Sequence, residues 1–379
     1  LVLIGLLPPA KALDGIAKGT DVYLFLIGMM LLAEVAREQG LFDWLAQHAA
    51  LHAKGSPRRL FALIYAVGTV VTVFMSNDAT AVVLTPAVYA AAKASGVEPL
   101  PYLYICAFIA NAASFVLPIS NPANLVVFAD TMPALPAWIA RFALPSALSI
   151  GATYLALRFM LRDTLRGKPR LDVETSELAP GARIAACGVA ATAIALMLAS
   201  TFQMSLGLPT CLAALLTLIA VLLRMREAPW RYLRHMSWGI VPLVAGLFML
   251  VEALDSAELL PALSTTFANL AEGSATQAAW LCGASAALIS NLANNLPTGL
   301  LAGAALHNAQ APAQVADAVL IGVDLGPNLS VTGSLATILW LVALRREGQV
   351  VGTWTFLRLG CVVMPVALVL ALAGLMLLR

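Results

Sequence analysis

A polar interruption, Met75-Ser76-Asn77-Asp78-Ala79-Thr80, sits in the middle of an apolar run that extends from Leu60 to Ala92. A carboxylate in hydrocarbon costs at least a few kcal/mol, so Asp78 must face a bundle interior or a water-filled cavity. The pattern returns as Ser290-Asn291-Leu292-Ala293-Asn294-Asn295-Leu296-Pro297. The apolar arms on either side are short for a crossing, since roughly 30 Å of hydrocarbon takes about 20 residues. Both stretches therefore read as tips of re-entrant helical hairpins that enter and leave on one side.

Composition supports a membrane setting. The chain is 61% hydrophobic and 11% charged, whereas soluble domains carry about 25% charged residues. A net charge of +2 gives no reason to expect nucleic acid. The five cysteines are scattered through apolar segments without CxxC or Cys/His spacing and read as small buried residues. The four histidines fall in loops or interfaces, and HExxH, Walker and GxSxG patterns are absent. No cofactor or bound metal is expected. The energy for any work must come from an ion gradient or from a separate ATPase subunit. Leu1–Leu7, without an initiator methionine, reads as the tail of a longer first span broken by Pro8-Pro9.

The remaining elements follow in order. Val22–Val35 is a span ending near Glu34, and Gly40–Leu51 an amphipathic interfacial helix. After the first hairpin, Tyr102–Val116 carries Asn111 and Ser114 and runs into Leu117-Pro118-Ile119-Ser120-Asn121-Pro122-Ala123-Asn124. Two prolines four apart cannot continue a regular helix. Non-helical backbone at membrane depth is tolerated only where it is buried in protein or lines a cavity. Trp138–Leu161 is a span, and 162–183 is a charged linker. Spans follow at Ile184–Ser200, Leu206–Leu223 and Gly239–Leu254, which ends near Glu252. An interfacial helix (Leu259–Leu270) and the second hairpin come next. Val315–Leu325 then meets a second break, Gly326–Gly333, and Phe356–Leu378 closes the chain.

This is an internal repeat. Gly28-Met29-Met30-Leu31-Leu32-Ala33-Glu34 aligns with Gly246-Leu247-Phe248-Met249-Leu250-Val251-Glu252 at 252 − 34 = 218, and Asn77 with Asn294 at 294 − 77 = 217. Loop charge gives the orientation. Lys54, Arg58, Arg59 and Lys93 flank the first hairpin, whereas Ala271–Thr276 and His307–Ala313 flank the second without Lys or Arg. The positive-inside rule places the first hairpin on the cytoplasmic side and the second on the outer side. The expected fold is thus an all-α polytopic membrane protein of two inverted-topology repeats, 1–161 and 184–379. Each holds a re-entrant hairpin and a broken transmembrane helix, the pattern of secondary transporters.

Four polar interruptions converge in that fold. Asn77, Asn111, Asn121, Asn124, Asn294, Asn295 and Asn328 supply uncharged donors and acceptors, and Ser120, Thr332 and Ser334 supply hydroxyls. The set suits a small neutral polyhydroxy solute or a weakly charged oxyacid. The plainer role for each is to satisfy backbone freed by the breaks. Asp78 and Asp324 lie beside the interruptions and are the candidates for a coupling proton, helix capping being the alternative. Glu34 and Glu252 read as interfacial.

The chain resembles the arsenical pump membrane proteins of the ion transporter superfamily. The similarity lies in Gly40-Leu41-Phe42-Asp43-Trp44, Arg58–Phe61, Ser76-Asn77-Asp78 with Leu84-Thr85-Pro86, and Asn294-Asn295-Leu296-Pro297-Thr298. It is most specific in Gly322-Val323-Asp324-Leu325-Gly326-Pro327-Asn328 with Gly333–Trp340. The resemblance spans nearly the whole chain. It implies export of trivalent arsenite and antimonite, as As(OH)3-like species, across the cell inner membrane in exchange for protons. In some members a soluble arsenite-stimulated ATPase is a partner. The sequence departs from the family pattern at Ala79-Thr80, where Gly-Ala is typical, and at Asn328, where lysine is common. A thiol site using Cys106 and Cys282 is the competing view of arsenite binding, since trivalent arsenic is soft. Two further readings stand beside this one. The first is a sodium/proton or sodium-coupled anion transporter of the same superfamily. The second is an intramembrane enzyme with Asp78 and Asp324 as an aspartyl pair.

Overall fold

The computed structural model describes residues 2, 7–165 and 177–378. Most of the expected first-span tail, and residues 166–176 of the charged linker, lie outside the described residues. Among the described residues every regular element is helical.

The first half contains α1 (Pro9–Lys18), α2 (Thr20–Glu38), α3 (Leu41–His52), α4 (Pro57–Phe74), α5 (Thr85–Ala94), α6 (Leu100–Ala112), α7 (Pro122–Phe128) and α8 (Leu135–Met160). Two helices, α9 (Pro180–Thr201) and α10 (Gly207–Met225), and a short turn of helix, α11 (Trp230–Leu233), lead to the second half. That half contains α12 (Ile240–Ser256), α13 (Leu259–Gly273), α14 (Ala275–Ala293), α15 (Asn295–Asn308), α16 (Ala313–Leu325), α17 (Leu335–Arg346) and α18 (Thr353–Leu377). Five helices, α4, α8, α9, α10 and α18, are each long and apolar enough to cross a membrane. Two bent pairs, α1 with α2 at 50° and α12 with α13 at 79°, can each form one more span.

The repeat is visible at the level of caps. Ser56 caps α4 by accepting from the Arg59 N–H, and Ser274 caps α14 by accepting from the Gln277 N–H; they are 274 − 56 = 218 apart. Gly40 before α3 and Glu258 before α13 stand at the same offset, and both are left-handed, with φ of 75° and 60°. Glycine takes that conformation freely and glutamate does not, so the second copy keeps the bend with a strained residue. Beyond the hairpins the offset falls to 213: α6 and α16 are both 13 residues long, and the caps of α7 and α17, Asn121 and Ser334, correspond.

Two expectations change. Pro9 does not simply break a span. It occupies the first turn of α1, where proline's missing N–H costs nothing. The entering arms of the hairpins are also longer than their apolar runs, because the serine caps start them earlier. At about 1.5 Å per residue, the 18 residues of α4 and 19 of α14 reach nearly across a bilayer, and only the returning arms are short.

Close helix contacts hold the fold together, within the second half and between the halves. A Cβ on Gly322 would lie 2.1 Å from the Gly283 carbonyl oxygen, so α16 rests directly on the backbone of α14. The symmetry-related α8 and α18 pack against one another. Arg141 of α8 reaches the fully buried Asp317 of α16 at 3.4 Å. Glu34 and Glu252, equivalent in the two repeats, each have a cation: Arg37 Nη2 at 2.6 Å and Lys18 Nζ at 2.7 Å.

Candidate functional site

The first break begins where α6 ends, and its freed backbone is taken up locally. Asn124 Nδ2 donates to the carbonyls of Ser114 (2.9 Å), Leu117 (3.1 Å) and Pro118 (3.3 Å). Pro118–Ser120 forms a single 3-10 turn, and the Ser120 hydroxyl donates to the Val73 carbonyl at 2.9 Å, which fastens the break to the end of α4. Asn121 Oδ1 accepts from the Ala123 N–H and starts α7. For Asn124 and Ser120 the plain structural role is therefore realised.

The two breaks meet across the repeat axis. Asn111 Nδ2 donates to Asn328 Oδ1, and Asn328 Nδ2 donates to the Phe108 carbonyl, both at 3.0 Å. Asp324 receives the Asn121 amide at 2.8 Å and the Ser114 hydroxyl at 2.7 Å. Asn111, Ser114, Asn124, Asp324 and Asn328 are fully buried. No basic side chain pairs with Asp324 among the described residues. The Ser114 hydroxyl also lies 2.7 Å from the Asn111 carbonyl. It has one proton and two acceptors. With Asp324 ionised, the hydroxyl donates to the carboxylate. With Asp324 protonated, the acid donates to Ser114 and Ser114 turns to the Asn111 carbonyl. The arrangement thus accepts either state by rotating one O–H bond. Asn111 Oδ1 and Asn124 Oδ1 are buried with no donor in the protein, and so stay open to a water or hydroxyl.

Tip one is built differently from tip two. After α4 the Ser76 hydroxyl accepts from the Ala79 N–H at 3.1 Å and Asn77 Oδ1 accepts from the Asp78 N–H at 2.9 Å. The chain returns through a π-helical segment, Ala79–Leu84, of the kind that often marks functional positions. Asp78 faces a cavity of about 70 Å³ between α2, tip one and the segment from His235 to Ile240. Glu34, Met29, Met30, His235 and Met236 also line it, and no Lys or Arg does. Asp78 and Asp324 are not hydrogen-bonded to each other, so the pair that an aspartyl enzyme needs is not made.

Tip two is a single residue, Asn294, at φ 71°. Its Oδ1 accepts from the Leu296 N–H and its Nδ2 donates to the Thr332 carbonyl, both at 3.4 Å. The Asn295 N–H donates to the Gly333 carbonyl at 2.8 Å. Ser334 caps α17 through the Thr337 N–H and is a framework residue. The hub of this half is Asn291. Its Nδ2 donates to the Gly326 carbonyl at 2.9 Å, its Oδ1 accepts from Ser330 at 2.7 Å, and its carbonyl accepts from Thr332 at 2.9 Å. The available signal was its position one helical turn before Asn294 and Asn295 on a break-facing helix. Ser114 likewise emerges as a partner of Asp324. The thiols of Cys106 and Cys282 are buried on separate helices, α6 and α14, and neither lines the Asp78 cavity.

This geometry can be set beside known proteins. A family model described as a citrate transporter matches residues 1–324. The chain belongs to that transporter family. An arsenical pump membrane protein of Yersinia enterocolitica is 29% identical over 371 residues, covering 92% of this chain and 84% of its own length. One from Escherichia coli is 29% identical over 391 residues, covering 99% and 89%. An uncharacterised transporter of Mycobacterium tuberculosis is 25% identical over 365 residues, covering 93% of this chain and 84% of its own length. Among solved structures, the Alcanivorax borkumensis YdaH transporter, described as having an unusual topology, shares the fold. Its TM-score is 0.62 at 15% identity, covering 97% of this chain and 86% of that one. The chain is a multi-pass membrane transporter rather than an enzyme, and its likeness to the arsenical pumps runs through almost its whole length.

Proposed function

We propose that this protein exports arsenite and antimonite from the cytoplasm across the inner membrane as small neutral trihydroxy acids, in exchange for protons. The observation that carries the reading is the cavity beside Asp78. It holds about 70 Å³ and has no Lys or Arg in its wall. A solute the size of As(OH)3 fits it. A tricarboxylate, which the family's description brings to mind, is several times larger. It would meet the Asp78 carboxylate with no Lys or Arg in the wall to offset it, and a Glu34 carboxylate whose cation, Arg37, is already engaged. The names of the pump relatives point the same way.

In this reading Ser76, Asn77 and Asp78 receive the substrate's hydroxyls at tip one, with Asn294, Asn295 and Thr332 forming the matching polar surface of tip two. Asn121 and Ser114 hold Asp324 at the junction of the breaks, beside the Asn111–Asn328 pair. Asp78 and Asp324 are the proton carriers. The repeats, 1–161 and 184–379, contribute one hairpin and one broken helix each.

The test is uptake into everted membrane vesicles under an imposed proton gradient, with radiolabelled citrate as the comparison. Gradient-dependent arsenite uptake, with citrate excluded, is expected. Citrate uptake, or arsenite movement that ignores a proton gradient and follows sodium instead, would refute the proposal.

A further inference from the structure

The cavity beside Asp78 has two chemically different walls. Ser76 and Asp78 from tip one and Glu34 from α2 form a polar wall. Met29 and Met30 of α2, with His235 and Met236 from the segment after α11, form a wall of sulfur and imidazole. The chain has 12 methionines among 379 residues, yet three of the 17 residues lining this one cavity are methionine. Methionine often only fills gaps in a core, so a control is needed, and the internal repeat supplies it. The residues equivalent to Met29 and Met30 are Leu247 and Phe248. Leu247, with Leu250 and Val251, lines a larger cavity against α13, α14 and α15 that has neither methionine nor a charged side chain in its wall. The one sulfur in that second wall is the Cys282 thiol of α14, so thioether sulfur is not a property both copies share. It is concentrated on the copy that faces a carboxylate.

We infer that Met29, Met30 and Met236, with His235, are specificity-determining residues that select a substrate with a soft central atom. The inference rests on the proposed arsenite reading and deepens it. The hydroxyls of a trivalent metalloid acid meet Ser76 and Asp78, and the metalloid atom meets the thioethers. Thioether sulfur is a soft donor and matches arsenic and antimony in that respect. It is also uncharged, so the contact is non-covalent, with no bond formed or broken, and it releases the substrate as the site opens. A hard trihydroxy molecule of similar outline, boric acid, presents the same hydroxyls and gains nothing from sulfur.

The experiment uses the full chain in everted vesicles, with Met29→Leu, Met236→Leu and the double variant. Leucine conserves volume and costs below about 1.5 kcal/mol in a core. Met249→Leu, on α12 and outside this cavity, is the control. The expected result is a rise in KM of about tenfold for antimonite in the double variant, worth about 1.4 kcal/mol. Arsenite shows a smaller rise, and the control none. Boric acid in large excess leaves wild-type uptake untouched. Unchanged KM values in the leucine variants, or boric acid competing as well as antimonite does, would overturn the assignment. If the double variant is absent from the membrane, the single variants and the boric acid comparison decide it. A wild type that moves no arsenite at all sinks the proposed function instead.

Discussion

Replacing Asp324 by asparagine removes the proton and almost nothing else. The Asn121 amide still finds an acceptor in the new side-chain oxygen, at the 2.8 Å position that Asp324 Oδ1 holds now. The new NH2 group faces Ser114, whose hydroxyl turns to the Asn111 carbonyl 2.7 Å away. Every group keeps a partner, so the fold should lose no more than about 1 kcal/mol, the ordinary net worth of one hydrogen bond. The functional loss is far larger under the proposed exchange. One proton moved down a gradient of two pH units supplies about 2.7 kcal/mol, enough for roughly 100-fold accumulation of substrate. Wild-type everted vesicles should approach that ratio, whereas Asp324→Asn should carry arsenite only to equal concentrations, at near-normal protein levels. Asp324→Ala separates coupling from structure. It strands the Asn121 amide and opens a void, costing about 2–5 kcal/mol, and should deplete the protein from the membrane. If Asp324→Asn accumulates arsenite as wild type does, Asp324 is not the carrier, and the rotating Ser114 hydroxyl has no coupling role.

Three further expectations follow from the framework. Asn124→Ala removes the donor shared by three buried carbonyls and should cost about 2–4 kcal/mol, read as a lower thermal midpoint in detergent; an unchanged midpoint would show that water replaces the amide freely. Gly322→Leu cannot be absorbed where a Cβ alone meets the Gly283 carbonyl at 2.1 Å. It should abolish folded protein on size-exclusion chromatography, while Gly246→Ala, with nothing within 4 Å of the added atom, should not. Glu258→Gly relieves a φ of 60° and copies Gly40 in the other repeat. It should raise the thermal midpoint by the equivalent of about 0.5–1 kcal/mol, and a fall would mean that the glutamate side chain does work the backbone argument ignores.

What the sequence made legible follows from what hydrocarbon forbids. A carboxylate or a proline pair inside an apolar run has few physical solutions, so both hairpins, both breaks and the correspondence between the halves were readable from Asp78, Asn294, Pro118 and Pro327. Element ends were less so. Ser56 and Ser274 lengthen α4 and α14 through caps whose effect depends on backbone geometry, and α1 starts on a proline that composition reads as a stop. Partnerships across the repeat were illegible in principle. Nothing local joins Ser114 to Asp324 across 210 positions, or marks Asn291 rather than its neighbours as the hub of tip two. The cavity was missed for the same reason, since Met29 and Met236 come from distant segments and read as ordinary apolar residues on their own.

The repeat also explains why one acid, and not two, sits at the junction of the breaks. Asn111 and Asp324 occupy the same register, each the twelfth residue of a 13-residue helix that stops at a break. An aspartate at both positions would bury two carboxylates in one network, and like charges in a dry site cannot both ionise. An amide at 111 keeps the shape, donates to Asn328 and leaves Asp324 as the single ionisable group. The fold is close to symmetric, but its chemistry is not. Under the proposed exchange this makes the position a design choice open to test. Asn111→Asp combined with Asp324→Asn should retain part of the gradient-driven uptake, whereas Asn111→Asp alone should impair it. Equal failure of the double variant and Asp324→Asn would mean that Ser114 and Asn121, which serve only the second register, define the site.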